Sequence, residues 1–233
     1  MNRLFYLIKN NSNIVIVLKY IKSRILSLLE KKNRKKIVSE YRHFLNSKNL
    51  TQDWFSHNSY DWNLILKDFK DKDFHYLEIG SFEGNSTMFI LNFCSNVKVV
   101  CVDAWNQFTK GNEELPLKQI EQNFDKNISP YIKRCQKFKM KSSEFFFKNN
   151  QEFNIIYVDG SHHAKDVMED CMYSWKVLQK NGILIIDDYF WIGYEDNDLN
   201  PIIGINEFLR RHKKEYSVLK VSKYQLFIKK LTQ

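Results

Sequence analysis

His75-Tyr76-Leu77-Glu78-Ile79-Gly80-Ser81-Phe82-Glu83-Gly84-Asn85-Ser86-Thr87 opens as a strand and closes as a helix. Residues His75–Ile79 are apolar and strand-prone, Gly80 and Gly84 punctuate a short loop, and a helix-like run starts near Asn85. Strands alternating with helix-length segments are the pattern of a parallel sheet covered on both faces. Working outward, further strands are predicted at Val97–Val102, Lys137–Met140, Asn154–Val158 and, after a turn at Gly182, Ile183–Ile186. Tyr216–Val221 and Tyr224–Lys229, separated only by Ser222 and Lys223, predict a terminal antiparallel hairpin. The expected fold class is α/β: a doubly wound, mostly parallel seven-stranded sheet with a C-terminal antiparallel hairpin, plus an N-terminal helical extension. Gly80, Gly84, Gly160, Gly182, Gly193 and Gly204, six of only seven glycines, fall at the predicted loops, which supports this register.

With 233 residues, 43% of them hydrophobic, the chain can fill one core, which excludes disorder throughout. Cys94, Cys101, Cys135 and Cys171 form no Cys-x-x-Cys pair and no zinc spacing, so buried free thiols and a reducing, cytoplasmic compartment are expected. No apolar run reaches the length of roughly 20 residues that a membrane span needs. The net charge of +9 is unevenly placed. Residues 1–50 carry 12 Lys and Arg against 2 acids, and the rest carries 24 against 25, so the basic character belongs to the N-terminal segment alone. There Val17, Leu18, Ile21, Ile25, Leu28 and Leu29 recur at helical spacing among lysines, which predicts a basic amphipathic helix. Its expected partners are its own domain, a second subunit in a homo-oligomer, a polyanion, or an anionic membrane surface met peripherally. The domain division expected is 1–50 for this extension and 51–233 for the α/β domain.

The glycine loop carries Phe82 where a dinucleotide fingerprint needs a second glycine, so a diphosphate would approach poorly. Asp103 ends the second strand, where a carboxylate can accept both hydroxyls of a ribose. Together Gly80, Gly84 and Asp103 fit an adenosine-like ligand without a diphosphate, S-adenosylmethionine rather than NAD. Alternatively, the two glycines only permit a tight strand-to-helix turn.

The fourth strand runs into Asp159-Gly160-Ser161-His162-His163 and the fifth into Asp187-Asp188-Tyr189. Neighbouring strands would bring Asp159, Asp187 and Asp188 together, and three unpaired carboxylates repel unless a cation holds them. Hard oxygen donors favour Mg²⁺ or Ca²⁺ over zinc. His162, three residues from Asp159, is placed as a general base, since imidazole titrates near neutrality. The alternative makes these acids caps or loop residues and the histidines surface residues. The following segment, Phe190 to Pro201, is aromatic then acidic and is bracketed by Gly193 and Gly204, as a hinged lid would be. Its Trp191 and Tyr194 would stack on a sugar or cover the sheet edge.

These motifs resemble the class I S-adenosylmethionine-dependent methyltransferases, which have a Rossmann-like fold. Residues Glu78 to Thr87, Asp103-Ala104-Trp105, Asp159-Gly160-Ser161-His162 and Asp187-Asp188-Tyr189 carry the resemblance over roughly 74–230. Within that class the chain is most similar to the small O-methyltransferases of the macrocin and macrolide-sugar type, and its glycine loop also resembles the catechol type. The resemblance implies that Glu78, Gly80, Ser81 and Asn85 surround the methionine part. It places Asp103 and Ala104 at the ribose, and Lys141 and Ser142 at the adenine. Asp159 would belong to the cofactor pocket's rim, to the metal with Asp187 and Asp188, and to the catalytic pair with His162. The implied reaction is methyl transfer to a hydroxyl of a small molecule or glycan, with Mg²⁺. A nucleic acid is not the expected partner, because the Asn/Asp-Pro-Pro-Tyr/Phe run of base methylases is replaced by Asp159-Gly160-Ser161-His162. An RNA ribose methyltransferase and a non-catalytic binding protein tethered by the basic helix are the other readings.

Overall fold

Short apolar runs alternate with helical segments from Phe74 onward, and the chain folds as that alternation dictates. The computed structural model describes residues 3–10, 13–106 and 117–232. In chain order the elements are α1 (Arg3–Asn10), α2 (Ile14–Leu29), α3 (Lys31–Leu45), α4 (Ser59–Leu66), β1 (Phe74–Ile79), α5 (Asn85–Phe93), β2 (Val97–Asp103) and α6 (Leu117–Ile128). They continue with β3 (Cys135–Lys139), α7 (Ser142–Lys148), β4 (Phe153–Val158), α8 (Ala164–Val177), β5 (Leu178–Ile186), α9 (Pro201–Arg211), β6 (Tyr216–Val221) and β7 (Leu226–Lys230). The seven-stranded sheet has the order β3-β2-β1-β4-β5-β7-β6. β1, β2 and β3 pair in parallel, as do β4 and β5, whereas β7 runs antiparallel to both β5 and β6. The expected α/β sheet with its C-terminal hairpin is therefore present. The chain separates into two compact units, a continuous one, Glu30–Lys148, and a discontinuous one, Met1–Leu29 with Asn149–Gln233.

In the continuous unit, β1 and β2 bury Phe74, Tyr76, Leu77, Ile79 and Val99 to Val102, the largely apolar pattern of strands covered on both faces, with Glu78 buried among them. Gly84 begins α5 at φ +80°, and a Cβ there would press on Phe124 and Ile128 of α6 at 3.2 Å, so both backbone and space demand glycine. Trp62 of α4 packs edge to face against both Phe55 and Phe89. Trp62 is fully buried, and its truncation to alanine would cost about 3–5 kcal/mol. Arg34 of α3 forks onto Asp61 of α4 (3.0 and 2.8 Å) while stacking on Tyr60, and Tyr41 donates to the Asn85 carbonyl (2.6 Å).

In the discontinuous unit, Ile183 to Ile186 of β5 lie beside Ile155 to Val158 of β4, all buried. Three local expectations change here. Gly182 lies inside β5 at a register shift, next to Asn181 at φ +66°, so it is a bulge and not a turn before the strand. Gly204 lies within α9, where a Cβ would stand 1.9 Å from the Ala164 carbonyl, so it serves helix packing rather than a hinge. The hairpin loop has four residues, Ser222–Gln225, because the Ser222 hydroxyl accepts the amides of Tyr224 and Gln225. Val221 consequently pairs with Leu226. Lys230 is buried and donates to the carbonyls of Trp175 and Leu178 (2.7 Å each), closing the end of α8.

The N-terminal stripe is also turned around. Helix α2 docks on β6 through Ile16, Val17 and Tyr20, while Leu18, Ile21, Ile25, Leu28 and Leu29 are exposed. Of the residues whose spacing predicted the helix, only Val17 is buried. All four cysteines are buried free thiols, and among the described residues no helix is long and apolar enough to cross a membrane.

Candidate functional site

The continuous unit holds the predicted cofactor residues at the ends of β1 and β2. The loop after β1 is fixed from several sides. The Gly80 amide donates to the Val102 carbonyl (2.8 Å). Glu83, fully buried, accepts from Thr51 and Asn123 (2.7 Å each), and Asn127 donates to its carbonyl. Asp103 accepts from the amides of Phe82 (2.9 Å) and Trp105 (2.8 Å), and the Trp105 indole donates to the Phe82 carbonyl (2.9 Å). Burial pushes the Asp103 carboxyl above the usual carboxylate range, although the amides of Trp105, Phe82 and Ser81 pull the other way. Phe82 (φ 48°) and Trp105 (φ 45°) hold the left-handed conformation that non-glycine residues avoid.

Glu78 is fully buried and accepts from Tyr76 (2.7 Å), Ser86 (2.8 Å) and Thr87 (2.9 Å), which ties β1 to the first turn of α5. Burial outweighs these bonds and pushes its carboxyl up to about 7. Asn85 is bonded to Tyr41 and Asp53. Burial would raise Asp53, but Ser56, Asn85 and Arg42 more than offset it, and the carboxyl is lowered. Lys141 and Ser142 stand at the start of α7, after β3, whose Lys139 pairs with Asp103. Ser81 is buried, and its hydroxyl has no hydrogen-bond partner among the described residues. An orphaned donor at the mouth of this loop fits a polar ligand, and the amide-bound Asp103 leaves lone pairs for a diol. The residues present thus fit an adenosine-type cofactor.

The discontinuous unit holds the acids. Asp159 follows β4, and Asp187 and Asp188 follow β5. Asp159, His162 and Asp188, all half-buried, each offer a ligand atom within 4.8 Å of the others. His162 Nε2 lies 2.6 Å from Asp188 Oδ2. The two carboxylates so gathered suit a hard divalent cation, with the imidazole beside them. Asp187 is placed differently. One of its oxygens meets the Tyr157 hydroxyl and the Gln225 amide (2.9 Å), and the other accepts the Asp188 backbone amide (2.7 Å). Tyr157 also donates to Asp159 (2.8 Å). Burial, and then the Asp188 charge, push the Asp187 carboxyl up to about 6, and burial and both acids push Tyr157 well above its ordinary value. Asp188 itself is left-handed, at φ 56°. Three of the five non-glycine residues with positive φ among those described thus lie at these two places.

Trp191 packs on His162 (ring centroids 4.9 Å apart) and on Tyr194 (5.3 Å), so it walls the acid cluster. The segment is not loose: buried Asn200 accepts from the amides of Gly193 and Tyr194 and donates to the Tyr194 carbonyl (3.2 Å each). Sequence reasoning missed Tyr157, Gln225, Asp53 and Tyr41. Tyr157 was findable, because in a strand it shares a face with Asp159. Gln225 was not, because its place depends on the hairpin register.

Residues 77–189 match the family model described as a methyltransferase domain. Among curated proteins, the uncharacterized protein R132 of Acanthamoeba polyphaga mimivirus is 24% identical over 127 residues, which span 54% of this chain and 56% of that protein. Solved structures of similar fold include a protein provisionally assigned as an rRNA methylase from Clostridium thermocellum (15% identity, TM-score 0.59, covering 79% of this chain and 99% of that one). Another is the O-methyltransferase TomG from Streptomyces achromogenes in complex with SAM (13%, 0.58, 94% and 99%). A third is MycE, from the mycinamycin biosynthetic pathway, in complex with Mg, SAH and mycinamycin VI (14%, 0.58, 85% of this chain and 54% of MycE). At these identities the likeness is one of fold. Residues 77–189 are thus similar to a methyltransferase domain, and the chain has the Rossmann-like fold of these methyltransferase structures.

Proposed function

We propose that the chain is an S-adenosylmethionine-dependent O-methyltransferase acting on a hydroxyl of a small molecule or glycan, with a divalent cation, Mg²⁺ by donor chemistry, as helper. The observation that carries this reading is the gathering of Asp159, His162 and Asp188 on a methyltransferase domain. Neighbours of the same fold support it, one in complex with SAM and one with Mg, SAH and mycinamycin VI. Asp103 would orient the ribose and Ser81 would donate to the cofactor, while Asp159 and Asp188 would hold the cation. Asp187 stands behind them and fixes Tyr157 and Gln225. His162, paired with Asp188, would take the acceptor's proton, and the carboxylate would stabilise the imidazolium that forms. When bound, the cation would make the acceptor hydroxyl more acidic and the cofactor would supply an already activated methyl group. Trp191 offers a flat apolar wall for a ring or sugar face. The buried thiols accord with a reducing, cytoplasmic setting.

Titration calorimetry with S-adenosylmethionine, with Mg²⁺ and with chelator, tests the cofactor. Transfer of a labelled methyl group to a panel of hydroxylated acceptors tests the reaction. Asp188→Ala should lower chelator-sensitive turnover by about 1000-fold or more while sparing cofactor affinity. Chelator-resistant transfer would refute the cation, and label recovered on RNA ribose, with steeply salt-dependent binding, would replace the acceptor class.

A further inference from the structure

Helix α2 has two apolar faces, and the described residues cover only one. Its inner face, Ile16, Val17 and Tyr20, is buried on β6, and Tyr20 packs against Phe190 (ring centroids 4.9 Å apart). Asn13 donates to the Tyr216 hydroxyl (3.0 Å) and Lys19 to the Leu219 carbonyl (3.5 Å), so the helix is already anchored. Ile14, Leu18, Ile21, Ile25, Leu28 and Leu29 form a second stripe along four turns, each between 38% and 77% exposed. Proteins scatter single apolar residues on their surfaces but rarely align so many in one stripe without a use for it.

The charge beside the stripe selects its occupant. Lys22 and Arg24 are exposed on the same helix, and Lys31, Lys32, Lys35 and Lys36 follow it in the chain, also exposed. Residues 1–50 carry only Glu30 and Glu40 against 12 basic residues. A second copy would bring one strongly positive segment against another, which costs free energy. An anionic lipid surface accepts the apolar stripe among its acyl chains and the lysines at its headgroups. We infer that α2 is an interfacial helix whose outer face docks the protein on an anionic membrane. It lies on the bilayer and does not cross it. Through Tyr20 and Phe190 it touches the segment that follows Asp188, so docking is mechanically continuous with the acid cluster. Membrane docking is independent of the chemistry proposed above, and its test needs no turnover.

The test is vesicle co-sedimentation of the full chain, with light scattering for oligomeric state. Vesicles of phosphatidylcholine with about one-third phosphatidylserine should bind the protein at least tenfold more tightly than phosphatidylcholine alone. Raising NaCl from about 0.1 M to about 0.5 M should weaken that binding several-fold. Ile25→Glu, on the exposed stripe, should lower binding by at least about tenfold with an unchanged melting temperature, and Lys22→Glu with Arg24→Glu should abolish the preference for anionic lipid. Equal binding to both vesicle types, or none, overturns the inference. So does a wild-type dimer that Ile25→Glu converts to a monomer without any vesicle binding, since the occupant would then be a second copy.

Discussion

The two units handle their buried charge in opposite ways. In the continuous unit Asp103 is held by backbone amides, Glu78 by buried Tyr76, Ser86 and Thr87, and Glu83 by buried Asn123 and by Thr51. Little there is free to rearrange. In the discontinuous unit Asp159, His162 and Asp188 are half-buried and are ordered by side chains, Tyr157 on Asp159, Trp191 on His162 and His162 on Asp188. The first arrangement is preorganised for binding. The second leaves like charges close together, which a cation would relieve. Affinity for the cofactor and competence for chemistry are therefore expected to respond to different substitutions.

The largest effect that sharpens this contrast should come from pH. Burial pushes Glu78 up to about 7 from its ordinary value of 4.5. A carboxyl raised on folding contributes stability that is complete below about pH 4.5 and is lost as pH rises through about 7, on the order of 3 kcal/mol. Melting temperatures from about pH 5 to about pH 8 should therefore fall in the wild type, and Glu78→Gln should flatten the decline. A flat wild-type profile would break the claim that this unit carries the cost of a buried charge. Next, Asp103→Ala should weaken S-adenosylmethionine binding by about 2 kcal/mol, roughly 30-fold, with Mn²⁺ binding unchanged. Equal losses of cofactor and metal in calorimetry would erase the distinction between the units. The smallest effect is expected for Asn200→Ala, which strands the amides of Gly193 and Tyr194. It should cost roughly 1 kcal/mol, a drop of about 2–4 °C in Tm, with cofactor affinity unmoved. A weakened cofactor would couple what the contrast separates.

Much of the fold was readable because parallel strands covered on both faces must be apolar runs, and β1, β2 and β4 lie within a residue of where those runs predict them. The places of Asp103 and Asp159 at the carboxyl ends of β2 and β4 were readable from the same runs. The outward stripe of α2 was not, since periodicity shows that a helix has an apolar face but not which side the protein covers. The bulge at Gly182 and the four-residue hairpin loop escaped for a similar reason. Side-chain bonds such as those of Ser222 decide register, and two residues of slip preserve every inward and outward position. That slip put Gln225 beside Asp187.

Asp188 suggests where this protein's sturdiness could be raised in the laboratory. It occupies a backbone region that glycine would enter with about 1 kcal/mol less strain. Phe82 and Trp105 share that strain, but their packed rings are worth more than its relief, so a selection for heat resistance would be expected to find glycine at position 188 first. The survivors would tolerate higher temperatures but would have lost a carboxylate of the acid cluster, and a screen for activity would discard them.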